Sequence, residues 1–327
     1  MTAFIRHSTF AACVALFVAA AGTVFAQTYP TKPIRLIVGF PPGGSNDIVA
    51  RQLAPKVTQL IGAQVIVDNR PGANATIATD QVAKSAPDGY TIMLGSASPL
   101  VISPFTYPNL PYDTLRDLAG ITTVGSTPEM IAIHPSLPAR NLKELVALAK
   151  SQPGKLAFAS SGNGGLPHLA IELFKSLGKV NVLHVPYKGA GPAAIDLVGG
   201  HVHVMIIDMP ALAQFVKDGK LRGIAITAEK RTPLLPDIPT SGEQGMPGLI
   251  AVNWFGIMAP ARTPAPVIEK LYGAFVKAAT APDMKEQFDK VGVEAYTHPS
   301  PEAYTSFLRQ ELARWGKIAK SAGAKAD

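Results

Sequence analysis

Residues 29–47 read YPTKPIRLIVGFPPGGSND, an apolar run bounded by prolines that empties into a glycine-rich turn and a helix start. Ile34 to Val38 has the length and β-branched content of a fully buried strand. Gly43 and Gly44 remove the Cβ atoms that would hold a ligand off, and Ser45, Asn46 or Asp47 can cap the helix that follows. The turn therefore presents bare backbone at the carboxyl end of a strand. The first amides of a helix lack internal partners and lie at its positive dipole end, so a carboxylate or phosphate fits there without a cationic side chain. A plain strand-to-helix turn uses glycines in the same way, and the loop alone leaves both readings open.

Outward from this stretch, strands alternate with helices, the signature of an α/β fold. The pattern predicts a strand over Ile34 to Phe40, a helix from about Asp47 to Ile61, a strand over Val65 to Asp68 and a helix around Thr76 to Lys84. Thr91 to Gly95 follows, then a proline-rich loop, a strand pair near Leu118 to Val124 and Met130 to His134, and a helix capped by Asn141 with Glu144 as return partner. Leu156 to Ser160, a helix from Pro167 to Leu177, and strands at Val182 to Val185, Val204 to Asp208 and Gly223 to Thr227 continue the alternation. A proline-rich loop from Lys230 to Leu249 precedes a strand at Trp254 to Met258. The tail is helical to about Ala322, with Thr263-Pro264 and Ser300-Pro301 as start signals.

Leu156 to Ser160 ends in a second exposed-backbone turn, Ser161-Gly162-Asn163-Gly164-Gly165, ahead of the helix opened by Pro167. Two such loops from two α/β units would face each other across a cleft, each offering amides and small hydroxyls. His168, in the first turn of the second helix, adds one directed donor.

Nucleotide chemistry is excluded by detail. Gly39 to Ser45 has the glycine spacing of a phosphate loop without the lysine that must follow its last glycine. The second loop has Pro167 where a dinucleotide fingerprint needs its third glycine. No cofactor is expected. There is no G-x-S-x-G elbow, and no motif brings a nucleophile and base together, so the chain does not read as an enzyme. His201 and His203 have no flanking carboxylate to complete a metal site and read as solvated or structural.

Met1 to Ala26 reads as a secretory signal: Arg6 and His7 in a short polar start, an apolar core from Phe10 to Phe25, and Val24-Phe25-Ala26 as a small-residue cleavage site. Removing it would leave 301 of the 327 residues, enough for two domains. The only cysteine, Cys13, lies in the segment to be removed, so the exported protein would carry neither disulfide nor thiol. The formal charge of +7 falls to +6 without Arg6. The remaining Lys and Arg are scattered, which excludes a nucleic-acid stripe and a polybasic membrane patch and leaves a mild preference for acidic ligands.

The segments YPTKPIRLIVGFPPGGSND, DGYTIMLGS, LPYDTLRDL, KLAFASSGNGGLPHLA, VPYKGAGPAAIDLVGGHV, KLRGIAITAEKRTPLLPDIPTSGEQG and WFGIMAPARTPAPVIEKL together resemble the Bug/TctC family, the extracytoplasmic solute receptors of tripartite tricarboxylate transporters. The resemblance covers essentially the whole chain after the signal segment, in the family's order. It implies a type II periplasmic binding protein in which two α/β domains, joined by two crossing strands, close on a ligand. The first domain would hold residues 27–125 with 252–327 and the second residues 126–251. It also implies a periplasmic protein, expected to be a monomer, that binds a small carboxylate and meets the membrane permease subunits of its transporter. A role as a ligand-loaded sensor of a membrane kinase uses the same features, and a periplasmic enzyme acting on a small acid is the remaining alternative.

In the family the ligand carboxylate is held mainly by backbone amides and ordered waters from the two glycine loops, which agrees with the reading of the residues. The first loop corresponds to Phe40, Gly43, Gly44, Ser45 and Asp47, and the second to Ser160, Ser161, Gly162, Asn163, Gly164 and His168. Ser96 and Ser98, Tyr187 and Gly189, and Asp208 at the end of its strand complete the implied wall. Asp47 also suits a plain capping role, and Trp254 suits packing on a crossing strand. One departure bears on the ligand: family members often have histidine or asparagine just after the SAS turn, where this chain reads SASPLVISP. Leu100, Val101 and Ile102 would make that wall apolar, and Asp208 would repel a second carboxylate and favour an amine, amide or hydroxyl.

Overall fold

The computed structural model describes residues 29–323; the expected export segment, with Cys13, lies outside them. From Lys32 onward the chain is one compact unit. Its strands are β1 (Ile34–Val38), β2 (Val65–Asn69), β3 (Thr91–Ser96), β4 (Leu118–Ile133), β5 (Ala157–Ser160), β6 (Leu183–Pro186), β7 (Val204–Asp208), β8 (Arg222–Ile226) and β9 (Val252–Pro260). The principal helices are α1 (Ser45–Ile61), α2 (Thr76–Ala83), α3 (Leu142–Ser151), α4 (Leu166–Gly178), α5 (Ala190–Val198), α6 (Met209–Lys217), α7 (Ala265–Ala279), α8 (Pro282–Asp289) and α9 (Pro301–Ala322).

The strands form one nine-stranded sheet in the order β2-β1-β3-β9-β4-β7-β5-β6, with β8 also paired to β4. At one end β2, β1 and β3 are parallel, with α1 and α2 as the crossovers that parallel pairing demands. At the other end β7, β5 and β6 are parallel too. Between them run β9 and β4, antiparallel to each other. β4 pairs with β9 along Leu118 to Pro128, then with β7 from Glu129 to Ile133 and with β8 from Met130 to Ile133. One strand thus serves both halves. The strands of both parallel ends run their carboxyl termini toward the middle, where ligands of open α/β sheets bind.

β4 differs from the expected strand pair: its 16 residues are continuous. Gly125 to Pro128 has turn composition, but β9 continues opposite it, pairing Ser126 with Trp254, Thr127 with Asn253 and Pro128 with Val252. Tertiary pairing overrides the local signal, and Pro128, which cannot donate, stands where the strand changes partners. The caps at Asn141 and Ser300 are made as read, with side chains accepting from Glu144 and Ala303 N–H. Thr263 instead donates to the Pro260 carbonyl, and α7 starts after Pro264.

The largest apolar cluster joins Ile37 and Met93 of the first half with Phe158, Ile171 and Phe174 of the second. Leu100, Val101 and Ile102 lie in it, fully buried. The helical turn over Ser98–Ile102 directs these side chains into the core, so they do not form the apolar ligand wall expected of them. No helix among the described residues is long and apolar enough to cross a membrane.

Candidate functional site

A cleft of about 350 Å³, counting its open mouth, lies where the carboxyl ends of the strands meet the starts of the helices. Phe40, Gly44, Ser45 and Asn46 contribute one side, and Ser96 and Ser98 continue it from the end of β3. Opposite are Ser161, Pro167 and Ala190, with Ile207 and Asp208 from the end of β7 and Asn253 from β9. Four helices, α1, α4, α5 and α6, begin at this lining. Their amino ends carry partial positive charge, which favours an anion in the cleft without a cationic side chain.

The first loop is the more open of the two. Gly44 is the N-cap of α1, and no side chain caps it. Ser45 and Asn46 are each 4% exposed, and Ser45 Oγ and Asn46 Nδ2 have no well-formed hydrogen bond. Two buried polar atoms on the cleft wall, at a helix N-terminus, are what a ligand or ordered water would satisfy. Ser45 Oγ does lie close enough to Asp208 to favour its ionised form, short of a good hydrogen bond.

Asp47 faces away from the cleft and braces the loop. It accepts from Gly43 N–H at 3.0 Å, Arg51 Nε at 2.8 Å and Asn69 Nδ2 at 2.9 Å. Burial pushes its carboxyl up, but these hydrogen bonds outweigh burial and hold it below the ordinary carboxylate value. A lowered carboxyl stabilises above that range and loses its effect as pH falls through it. Asp47→Ala should therefore destabilise the fold by about 1–3 kcal/mol at neutral pH. Urea unfolding at pH 7 and at acid pH measures it, and the difference from the unchanged protein should shrink in acid.

The second loop is mostly turned in on itself. Ser160 Oγ is 3.0 Å from the Gly162 carbonyl, 3.2 Å from Gly162 N and 2.7 Å from His184 Nε2. His168 Nδ1 accepts from Gly164 N–H at 3.0 Å, and its ring stacks on His184 with centroids 4.0 Å apart. Burial, followed by the nearby His168 and Lys175, lowers His184 to about 3, so it is neutral at physiological pH. His168 Nδ1 thus acts as an acceptor within its loop, and its Nε2 lies 3.8 Å from Glu172 Oε1. Thr106 Oγ1 donates to the Gly164 carbonyl at 2.8 Å and Tyr107 Oη to that of Asn163 at 3.4 Å.

Of the residues expected at the site, Phe40, Gly44, Ser45, Ser96, Ser98, Ser161 and Asp208 come together on the cleft. Gly43, Asp47, Ser160, Gly162, Asn163, Gly164 and His168 belong to the two loops but not to the lining. Tyr187 donates to Asp196 at 2.6 Å, off the lining. Gly189 precedes α5 at φ +123°, where a Cβ would approach Pro41 Cδ to 2.8 Å, so only glycine allows the two halves this near each other. Ser98 Oγ accepts from Leu166 N–H at 3.0 Å, tying the first half to the start of α4. Trp254 packs edge-on against Tyr304 and Phe307 and donates to Glu311 at 3.2 Å, away from the cleft.

Asn46, Pro167, Ala190, Ile207 and Asn253 are lining residues that sequence reasoning left out. Asn253 had a signal: a lone amide in the apolar run AVNWFGIM. Its Nδ2 donates to Asp208 Oδ2 at 3.0 Å, and its Oδ1 accepts from Ala97 N–H at 3.2 Å. Asp208 is 6% exposed. Burial raises it to about 6, against the opposing pull of Asn253, Ser45 and its own backbone N–H.

The family model described as "Tripartite tricarboxylate transporter family receptor" matches residues 49–324. The chain is 39% identical over 318 residues to Protein BugT of Bordetella pertussis, covering 96% of this chain and 97% of that one. The solved periplasmic binding protein BugD superposes with a TM-score of 0.87 at 34% identity, over 91% of this chain and 100% of that one. The R. palustris protein Rpa4515, solved with adipate, superposes with a TM-score of 0.88 at 32% identity over the same shares. With the α/β periplasmic binding protein fold in place, these likenesses make the chain a member of the tripartite tricarboxylate transporter receptor family.

Proposed function

We propose that this chain is a periplasmic receptor that captures a small carboxylate in the cleft and delivers it to a tripartite tricarboxylate permease, without chemical turnover. The observation that carries the reading is the uncapped start of α1, where Ser45 Oγ and Asn46 Nδ2 are buried on the cleft wall without a well-formed partner. Anion binding satisfies those atoms and the first amides of the helix together. The adipate in Rpa4515 supports the same ligand class here. Export, with cleavage after Ala26, places the receptor on the outer side of the membrane that holds its permease.

Closure accompanies capture. The two lobes are residues 27–125 with 252–327, and residues 126–251. The change of partners at Pro128 and Val252 supports a boundary beside these positions, and β4 and β9 are the strands that would flex. A ligand that binds only the folded, closed form stabilises it by about 2.7 kcal/mol at a hundredfold excess over its Kd. Mass spectrometry of acids released from the purified protein identifies candidates, and calorimetry with thermal unfolding tests them. Loss of ligand-induced stabilisation across every small carboxylate tried, with no acid released, refutes the reading.

A further inference from the structure

Behind the cleft wall lies a carboxyl that carboxylate capture does not use. Glu129 is fully buried on β4, and neither of its side-chain oxygens has a hydrogen-bond partner. It stands directly opposite Asp208 in the β4–β7 register. Two carboxylates so placed repel, and a buried charge without a partner is costly. One of the two must hold a proton.

Geometry decides which. Asp208 has the Asn253 amide donating to it, Ser45 Oγ nearby, and a position at the start of α6, whose dipole favours negative charge. Glu129 has none of these. The elements packed on β4 bring no cation to it. Arg222 of β8 donates to the carbonyls of Leu137 and Ala139, near the far end of β4. Lys217 lies in the last turn of α6, and Glu311 of α9 is held by the indoles of Trp254 and Trp315 and by Arg314. The charged residues of α7, Glu269, Lys270 and Lys277, are all exposed, Arg116 and Asp117 pair with each other just ahead of β4, and in α1 Asp47 and Arg51 do the same. Among the described residues the one charge bearing on Glu129 is Asp208, and burial together with that charge raises Glu129 well above the ordinary carboxylate value.

We propose that Glu129 is a buried, protonated acid facing an ionised Asp208, and that the single negative charge left on the cleft wall makes the receptor select carboxylates bearing an ammonium or hydroxyl close to the carboxylate. The second half of this rests on the carboxylate reading of the cleft. Ser45 links the two subsites, since it opens α1 and approaches Asp208. A carboxylate at the helix start therefore lies beside Asp208, where a bare dicarboxylate meets repulsion and an α-ammonium meets a counter-charge. Because burial raises Asp208 to about 6, the preference should be strong above that pH and fade below it.

The test has two arms. Carbon-13 titration of the ligand-free protein, with Glu129→Gln and Asp208→Asn to assign the resonances, should show Asp208 titrating near pH 6 and Glu129 still protonated at pH 7. Glu129→Gln mimics the protonated acid, so Asp208 should titrate in it nearly as before; ionised Glu129 at neutral pH overturns the proposal. Calorimetry then compares succinate with aspartate, glutarate with glutamate, and propanoate with alanine. The amino member of a binding pair should be favoured about tenfold or more at pH 7.5, an advantage reduced at pH 5 and in Asp208→Asn but kept in Glu129→Gln. Preference for the unsubstituted acid at pH 7.5 refutes the selectivity alone. Failure of all six compounds and of every other small acid refutes the carboxylate reading instead, while the titration still decides the proton.

Discussion

Gly44→Val should weaken carboxylate binding roughly a hundredfold or more, equivalent to about 2.7 kcal/mol, while leaving the fold nearly intact. Gly44 has φ −81°, which any residue adopts, and an added Cβ would meet nothing closer than the Pro41 carbonyl at 3.5 Å. The valine methyls would project beside Ser45 and Asn46 on the cleft lining, where the proposed carboxylate would meet the first amides of α1. Losing two charge-assisted hydrogen bonds accounts for the size of the effect. Valine is a poor N-cap, so about 1 kcal/mol of stability goes with it. Gly43 is a worse site for the test because its φ of +82° would strain any side chain, and Gly162, at φ +149° beside the Tyr187 carbonyl, would disturb the loop first. Arg35 and Arg70 pair with Asp68 and lie off the cleft, so their neutral variants should bind normally. Calorimetric titration decides: wild-type affinity in Gly44→Val, or loss of binding on replacing either arginine, removes the backbone cradle.

The first loop was legible because everything that defines it is local. An apolar strand, two glycines and a polar helix start within 14 residues, Ile34 to Asp47, leave little choice of conformation. The second loop shows where locality ends. Its composition matches the first, yet the amides of Gly162 and Gly164 are directed at Ser160 and His168. Sequence counts the donors in a glycine loop but does not say which way they point; that depends on His184, brought alongside by the parallel pairing of β5 and β6. Leu100 to Ile102 were read as cleft wall for a similar reason, since only the helical turn after β3 reveals that they face inward. Glu129 is visible as a single acid in PEMIAI, but its opposition to Asp208 is a matter of strand register. Register is not legible because Gly125 to Pro128 has turn composition and divides β4 in two on local signals alone.

Gly256→Ala should destabilise the ligand-free protein by about 3 kcal/mol or more, at the upper end of what overpacking costs. Gly256 lies in β9, paired with Gly95 of β3 on one side and Thr123 of β4 on the other. A Cβ there would overlap Tyr304 Oη, with Tyr304 Cζ at 2.7 Å and Trp254 Cζ3 at 3.2 Å. The same ring lies over Gly120 of β4, where a Cβ would reach Tyr304 Cδ1 at 2.9 Å. Glycines on both long central strands thus form a seat for one tyrosine of α9. Tyr304 is fully buried, and its hydroxyl has no hydrogen-bond partner. It fills space at the cost of an unsatisfied polar atom. Tyr304→Phe should therefore be neutral or stabilise by about 1 kcal/mol, since removing an unpaired buried hydroxyl restores its desolvation cost. Combining the two changes should recover only part of the loss, because the ring carbons remain close to the new methyl, and the energies should be non-additive. Urea unfolding of the three variants measures this. Destabilisation below about 0.5 kcal/mol in Gly256→Ala, within the range of an ordinary surface change, would mean that the ring yields easily. In that case Tyr304 is displaced at little cost, and α9 does not hold β4 and β9 rigidly.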